Sequence, residues 1–172
     1  MATGSERRRW ILTPVIALIF LSVIALLIIA ALLMDKWLNL PRLSYFPWTL
    51  IISIVLLLPG FILYFWTIGI FTELHGTAVP INPPQELITT GPYAYSRNPM
   101  MLGIFLMLFG TGFFIGSLAL TVIFTPLFIL LMSVYAMLVE EKELELRYGQ
   151  KYLDYKKRVP MYIPLPKRRG AG

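Results

Sequence analysis

The sequence predicts an all-α integral membrane helical bundle. It has about four transmembrane helices, the last two forming a hairpin, and a C-terminal cytoplasmic amphipathic helix. Three observations carry this. Of 172 residues, 58% are hydrophobic and 14% charged, with a mean hydropathy of +0.74, whereas soluble domains hold about 45–50% apolar and about 25% charged residues. Three stretches are free of charge: 11–34 and 48–71, of 24 residues each, and 100–139, of 40. A bilayer core takes about 20 apolar helical residues to cross, so the first two stretches make one span each and the third makes two. Finally, the net charge of +6 is concentrated at the ends: Arg7, Arg8 and Arg9 precede the first stretch, and nine of the fifteen Lys/Arg follow Val139. A single domain over 1–172 is expected.

The first span, 11–34, begins after Trp10 with Pro14 in its first turn, where a missing N–H is tolerated. Its apolar run is too long for a cleavable signal, and no A-x-A-like site follows it. Residues 35–47 form a short polar connection with Pro41 and Pro47. The second span, 48–71, carries Pro59-Gly60, which predicts a kink. Residues 72–99 form a loop rich in Pro, Gly and Thr, and a loop of this length is more often functional than idle. The third stretch divides into spans 100–115 and 118–139 about a turn near Gly116-Ser117, its first arm short for a full crossing. Gly110-x-Gly112-x-x-x-Gly116 has the wrong spacing for a nucleotide loop and reads as close helix packing or the turn itself.

From Glu140, the residues Leu144, Tyr148, Tyr152, Tyr155 and Val159 recur at helical spacing. They predict a tail helix over 140–159, with Glu143–Arg147 and Asp154–Arg158 as i,i+4 pairs and Gly149 as a weak point. It ends before Pro160. An interfacial helix lying on the headgroups satisfies the same pattern. Both termini are basic, so the positive-inside rule places both in the cytoplasm, with the 72–99 loop on the same face as the tail. The basic ends suit anionic lipid headgroups rather than nucleic acid.

The chain has no Cys, which removes disulfides, thiolate metal sites and Cys nucleophiles. Its one His, His75, reads as a solvated interfacial residue, and no metal site is expected. Two segments exceed what topology requires. In 88–103, Gly91-Pro92 makes a turn, Tyr93, Tyr95 and Arg97 alternate, and Asn98-Pro99 opens an apolar helix. Asn is a favoured N-cap and Pro a favoured first helical residue, and the N–H groups after Pro99 form an anion site. In the second, Glu140-Glu141 comes directly after 40 uncharged residues. A carboxylate there is costly unless paired or hydrated, and it either terminates the span or points into the bundle. An anion site, a carboxylate and aromatic faces together suit a small zwitterion with a cationic centre. S-adenosylmethionine has each of these features.

Gly91-Pro92-Tyr93-x-Tyr95-x-Arg97-Asn98-Pro99-x-x-x-Gly103 resembles the G-P-Y-x-Y-x-R-H-P-x-Y-x-G signature of the isoprenylcysteine carboxyl methyltransferase and phospholipid methyltransferase superfamily. Glu140-Glu141, Leu144, Tyr148-Gly149, Tyr152, Tyr155-Lys156-Lys157-Arg158-Val159-Pro160 and Ile163-Pro164 resemble its closing signature. The resemblance covers roughly 85–166. It implies a multi-pass membrane methyltransferase that takes S-adenosyl-L-methionine from the cytoplasm. The acceptor would be a lipophilic substrate from the bilayer, a phospholipid amine or an isoprenylcysteine-like carboxylate.

By position, Gln85, Glu86, Leu87 and Ile88 would line the cofactor and Tyr93 would pack on it. Asn98, Pro99, Met100 and Met101 would receive its carboxylate end, and Glu140 would hold a polar group. Glu141 and Arg97 are the candidate catalytic residues. Asn98 stands in place of the signature His, Met101 in place of a Tyr, and Ala136 in place of an Arg that the isoprenylcysteine enzymes use near substrate. Those departures motivate the alternative, a non-catalytic subunit or scaffold of a membrane protein complex.

Overall fold

The computed structural model describes residues 4–73 and 86–163, and every regular element among them is helical. Helix α1 is Gly4–Trp37 and α2 is Trp48–Glu73. A 3₁₀ turn, Gly91–Ala94, precedes α3, Pro99–Ile115. One continuous rod, α4, runs over Leu120–Tyr148, and α5 is Gln150–Arg158. Three of these, α1, α2 and α4, are long and apolar enough to cross a membrane. Helix α3 has 17 residues and rises about 25 Å, short of the ~30 Å hydrocarbon core.

Two boundaries correct the sequence reading. Helix α1 begins at Gly4, so Pro14 lies inside it rather than in its first turn. The tail is not one helix over 140–159. Its first half, Glu141–Tyr148, continues α4, and the chain breaks at Gly149 (φ +54°, ψ −130°) before α5. Glycine alone adopts that backbone conformation readily.

Helix α2 packs along α3 through small residues. Ser53, Gly60 and Thr67 lie seven residues apart on α2, and all three are buried. The two hydroxyls donate to their own helix, to the Thr49 and Leu63 carbonyls at 2.6 and 2.7 Å, so the seam holds no unpaired donor from them. A Cβ on Gly60 would stand 2.9 Å from the Gly103 carbonyl oxygen, and a Cβ on Gly103 2.8 Å from that of Gly60. The backbones therefore touch, as small residues permit in membranes. Gly110 faces Leu57 and Gly112 faces Thr121 on α4, so this glycine run serves helix packing, with Gly116 as the turn.

Helix α1 lies against α4, its partner in the buried cluster Ala31, Ala119 and Leu120. Phe20 meets Phe128 at 6.4 Å between ring centroids, and Phe128 meets Phe105 at 6.1 Å. The hairpin end is pinned by polar contacts. Gly116 is left-handed (φ +71°). The Ser117 hydroxyl accepts the Leu120 N–H at 3.0 Å, an N-cap, and donates to the Asp35 carboxylate at the end of α1. The Ala119 N–H reaches the same carboxylate at 2.8 Å, and the Leu43 N–H donates to the Gly116 carbonyl at 3.0 Å.

Outward faces carry Leu18, Leu26, Leu33, Val55, Phe65, Leu130 and Leu138, each more than half exposed. An apolar surface of this extent needs lipid around it. The chain is a multi-pass membrane protein.

Candidate functional site

The end opposite the hairpin turn is built from the loop before α3 and the chain after α4. Gly91 is left-handed (φ +59°) with a prospective Cβ 3.0 Å from Ile70, and Gly91-Pro92 starts the 3₁₀ turn. That turn breaks the expected alternation: Tyr95 points outward at 54% exposure, while Tyr93 and Arg97 turn inward. The Tyr93 ring meets Phe71 of α2 edge-on at 6.2 Å.

Within α4 the bonding lengthens to five residues over Leu120–Phe124 and Ala136–Glu140. The first widened turn precedes Pro126, which has no N–H to donate. In the second, the Glu141 N–H donates to the Ala136 carbonyl. Inserting a residue rotates the face beyond it, and such turns often mark functional positions. Here the result is that Glu141 is 6% exposed and Glu140 half-buried. The uncharged part of α4, residues 120–139, rises about 30 Å, so Glu140 falls where the hydrocarbon ends. The break at Gly149 then turns α5 back. Tyr152, Tyr155 and Val159 form a buried cluster, joined by Leu87, Leu144 and Tyr148. The apolar periodicity is thus a true face, folded over two helices.

Hydrogen bonds and ion pairs join the two segments. The Tyr155 hydroxyl donates to the Tyr93 carbonyl at 2.7 Å. The Arg97 guanidinium pairs with the Glu141 Oε1 and lies 3.4 Å from the Tyr152 hydroxyl. Lys156 Nζ takes Glu141 Oε2 at 2.6 Å, which holds the Lys156 ammonium above its ordinary pKa. Both Glu141 oxygens are therefore engaged, and the pair braces loop against tail. Glu141 and Arg97, the candidate catalytic residues, are thus partnered with each other in this structure. Burial raises the Tyr155 hydroxyl far above the usual tyrosine range. It does the same for Tyr93, with added contributions from Tyr155 and the Glu140 charge. Tyr93 and Glu140 thus share one end of the molecule.

Three features have no partner among the described residues. Arg97 Nε is buried without an acceptor, and a buried unsatisfied donor is costly. The Met100 and Met101 N–H groups, at the opening of α3, find no backbone acceptor. No cation pairs with Glu140. Donors that call for an anion, a carboxylate that calls for a cation and the Tyr93 ring fit the amino-acid end of a sulfonium zwitterion.

Of the other sequence-derived residues, Asn98 occupies the N-cap position of α3, but its side chain makes no capping bond, against expectation. Pro99 is fully buried. Leu87 packs on the tail tyrosines, Ile88 is half-buried and Glu86 exposed. Gln85 and His75 lie outside the described residues. Asp154–Arg158 is not a side-chain pair: Arg158 donates to the Asp154 carbonyl, and the carboxylate takes Gln150 and Lys157. Glu143–Arg147 does form, at 3.0 Å. Ser96 and Tyr162 also join the segments, and no sequence pattern pointed to either.

Residues 48–151 match the family profile described as phospholipid methyltransferase. Among curated proteins, the chain is 33% identical over 93 residues to a protein-S-isoprenylcysteine O-methyltransferase of Schizosaccharomyces pombe, covering 53% of this chain and 38% of that one. It is 34% identical over 85 residues to the mouse protein of that name, covering 48% and 29%. To a methanethiol S-methyltransferase of Crocosphaera subtropica it is 33% identical over 81 residues, covering 47% and 30%. The matches span less than two-fifths of these relatives' own length. The profile starts at the first residue of α2, earlier than the resemblance read from the signatures. The profile covers well over half of the sequence, and the chain belongs to the phospholipid methyltransferase family.

Proposed function

We propose that this protein is an integral-membrane methyltransferase that uses S-adenosyl-L-methionine and methylates a lipophilic acceptor dissolved in the bilayer. The observation that carries it is that Tyr93, Glu140 and the open start of α3 share one end of the bundle, with donors and a carboxylate that have no partner among the described residues. The cofactor, when bound, supplies an electrophilic methyl group on a sulfonium.

The Met100 and Met101 N–H groups and Arg97 Nε would hold its carboxylate end. Glu140 would hold the ammonium or ribose hydroxyls, and Tyr93 would present its ring. Leu87 and Ile88 would flank the site. Methyl transfer is an in-line displacement to which alignment contributes most, so these residues bind and orient rather than react. An amine acceptor needs a base, and Glu141 is already held by two cations. That favours an acceptor arriving as a carboxylate, in keeping with the O-methyltransferase relatives, over a phospholipid amine. The basic ends support cytoplasmic termini and contact with anionic headgroups, so cofactor would arrive from the cytoplasm and acceptor from the membrane.

Equilibrium binding of radiolabelled S-adenosylmethionine to the purified protein in detergent tests the site. Wild type binds, and a Glu140→Ala/Tyr93→Ala double variant loses at least tenfold in affinity. Label should pass to an S-prenylated cysteine and not to phosphatidylethanolamine vesicles. Unchanged binding in the double variant sinks the assignment, and no binding to wild type leaves the scaffold reading.

A further inference from the structure

After α5 the chain does not leave the bundle. Residues 159–163 run back across it as a strap, beyond the part of the chain that the family profile matches. Two successive strap carbonyls receive three donors from the segment just before α3. The Pro160 carbonyl accepts the Arg97 N–H at 2.9 Å, and the Met161 carbonyl accepts the Asn98 N–H at 3.0 Å. The Ser96 hydroxyl donates to the same Met161 oxygen at 2.9 Å. The next residue, Tyr162, is wedged between α3 and α4. Its ring meets Phe105 at 5.1 Å and 64°, and its hydroxyl lies 3.2 Å from Ser133 Oγ.

A tether could have attached anywhere along α4. This one lands on the backbone that opens α3 and consumes the Arg97 and Asn98 N–H groups. The donors left open are then Met100 and Met101, and the Arg97 side chain is fixed at its root. We propose that Tyr162 is a positioning residue for the cofactor site: its ring seats the strap in the register that holds residues 96–98, and with them the anion-binding start of α3, in place. This rests on the proposal that the protein binds S-adenosylmethionine. The aromatic ring is the operative part, because it packs on Phe105 while Ser133 already donates to its own helix at the Ile129 carbonyl, 2.6 Å away.

The test compares Tyr162→Ala, Tyr162→Phe and Ser96→Ala in the full chain. Hydrogen exchange is read without cofactor, and binding of radiolabelled S-adenosylmethionine is read separately. Tyr162→Ala should speed exchange at the Arg97 and Asn98 amides at least about tenfold while the α2–α3 amides stay protected, and it should raise the dissociation constant at least about tenfold. Tyr162→Phe should restore both to within about twofold. Ser96→Ala, which leaves the wedge intact, should speed the same two amides at least about threefold, and it carries the test if Tyr162→Ala does not fold. Unchanged exchange at Arg97 and Asn98 in Tyr162→Ala, or in Ser96→Ala where Tyr162→Ala does not fold, overturns the proposal. So does a Tyr162→Ala protein that binds like wild type, and in that case the cofactor reading stands. Wild type that binds no cofactor overturns the cofactor reading itself.

Discussion

Removing Glu141 should cost far more than removing Glu141 and Arg97 together. The two side chains are 8% and 13% exposed, so the pair is buried, and breaking one partner of a buried pair costs about 3–5 kcal/mol because a charge is left stranded. Glu141→Leu strands Arg97, whose Nε already lacks an acceptor. Lys156, 39% exposed, can turn to water. The full ~3–5 kcal/mol is expected there. Arg97→Met leaves Glu141 with Lys156 and should cost less, about 2 kcal/mol, since the second cation remains. Arg97→Met/Glu141→Leu replaces the pair by apolar chains of similar bulk and should lie within about 1 kcal/mol of wild type. The cycle then has a coupling energy well above the ~0.5 kcal/mol seen for independent sites. Reversible unfolding in mixed micelles measures all four proteins. Additive single effects would refute the reasoning, because they would mean that the two groups are hydrated separately and do not brace loop against tail.

Gly103→Ala should destabilise by about 1–3 kcal/mol, as overpacking does. The added carbon meets backbone atoms, the Gly60 oxygen at 2.8 Å and the Tyr64 nitrogen at 3.1 Å, whereas Gly69→Ala on the partner helix α2 meets nothing within 4 Å and should be neutral or stabilising in the same unfolding assay. Gly149→Ala also meets nothing, so its cost is the backbone conformation alone, about 1–3 kcal/mol. It should loosen α5 and speed tryptic cleavage at Lys151 and Lys156, while α1–α4 stay intact. Stability should fall as pH rises above 10.0, the ordinary tyrosine value. The native Tyr93 and Tyr155 keep protons there that the unfolded chain releases, so each contributes a loss of up to about 1.4 kcal/mol per pH unit. Tyr155→Phe should remove about half of that slope, and a slope unchanged in this variant counts against burial of its hydroxyl.

The apolar helices were legible because hydrocarbon leaves a one-dimensional mark: α2 and α3 coincide with charge-free runs to within two residues, whereas α1 starts seven residues before its run and α4 continues nine beyond its own. The hairpin turn was legible for a similar reason, since Gly116-Ser117 interrupts a continuous apolar run and Ser117 caps the start of α4. The tail was half legible. Its apolar face is real, but periodicity alone cannot distinguish one helix from two that share a face, and the left-handed Gly149 carries that information only in φ. The pairing of Glu141 was not legible, because nothing local shows that Arg97, 44 residues earlier, and Lys156 both reach it. Asn98 was assigned a cap from its residue type, yet at ψ 60° its side chain makes no capping bond, and its N–H serves the strap instead.

These misreadings share a physical cause that also explains how the site is built. Helices in lipid gain little from burying apolar surface against one another, so apolar pattern locates the spans but does not say how their ends are held. That is done by polar contacts, and polar contacts pair residues without regard to sequence distance. At the hairpin end a single carboxylate, Asp35, gathers Ser117 and Ala119. At the opposite end Glu141, Tyr155 and the strap carbonyls gather residues 93 to 98. The glycine seam fixes α3 against α2 at the level of Gly60 and Gly103, but Arg97 and Asn98 precede α3, and the strap carbonyls take their N–H groups. The proposed binding site at this edge of the bundle would therefore depend on chain that comes after α4, which the break at Gly149 turns back.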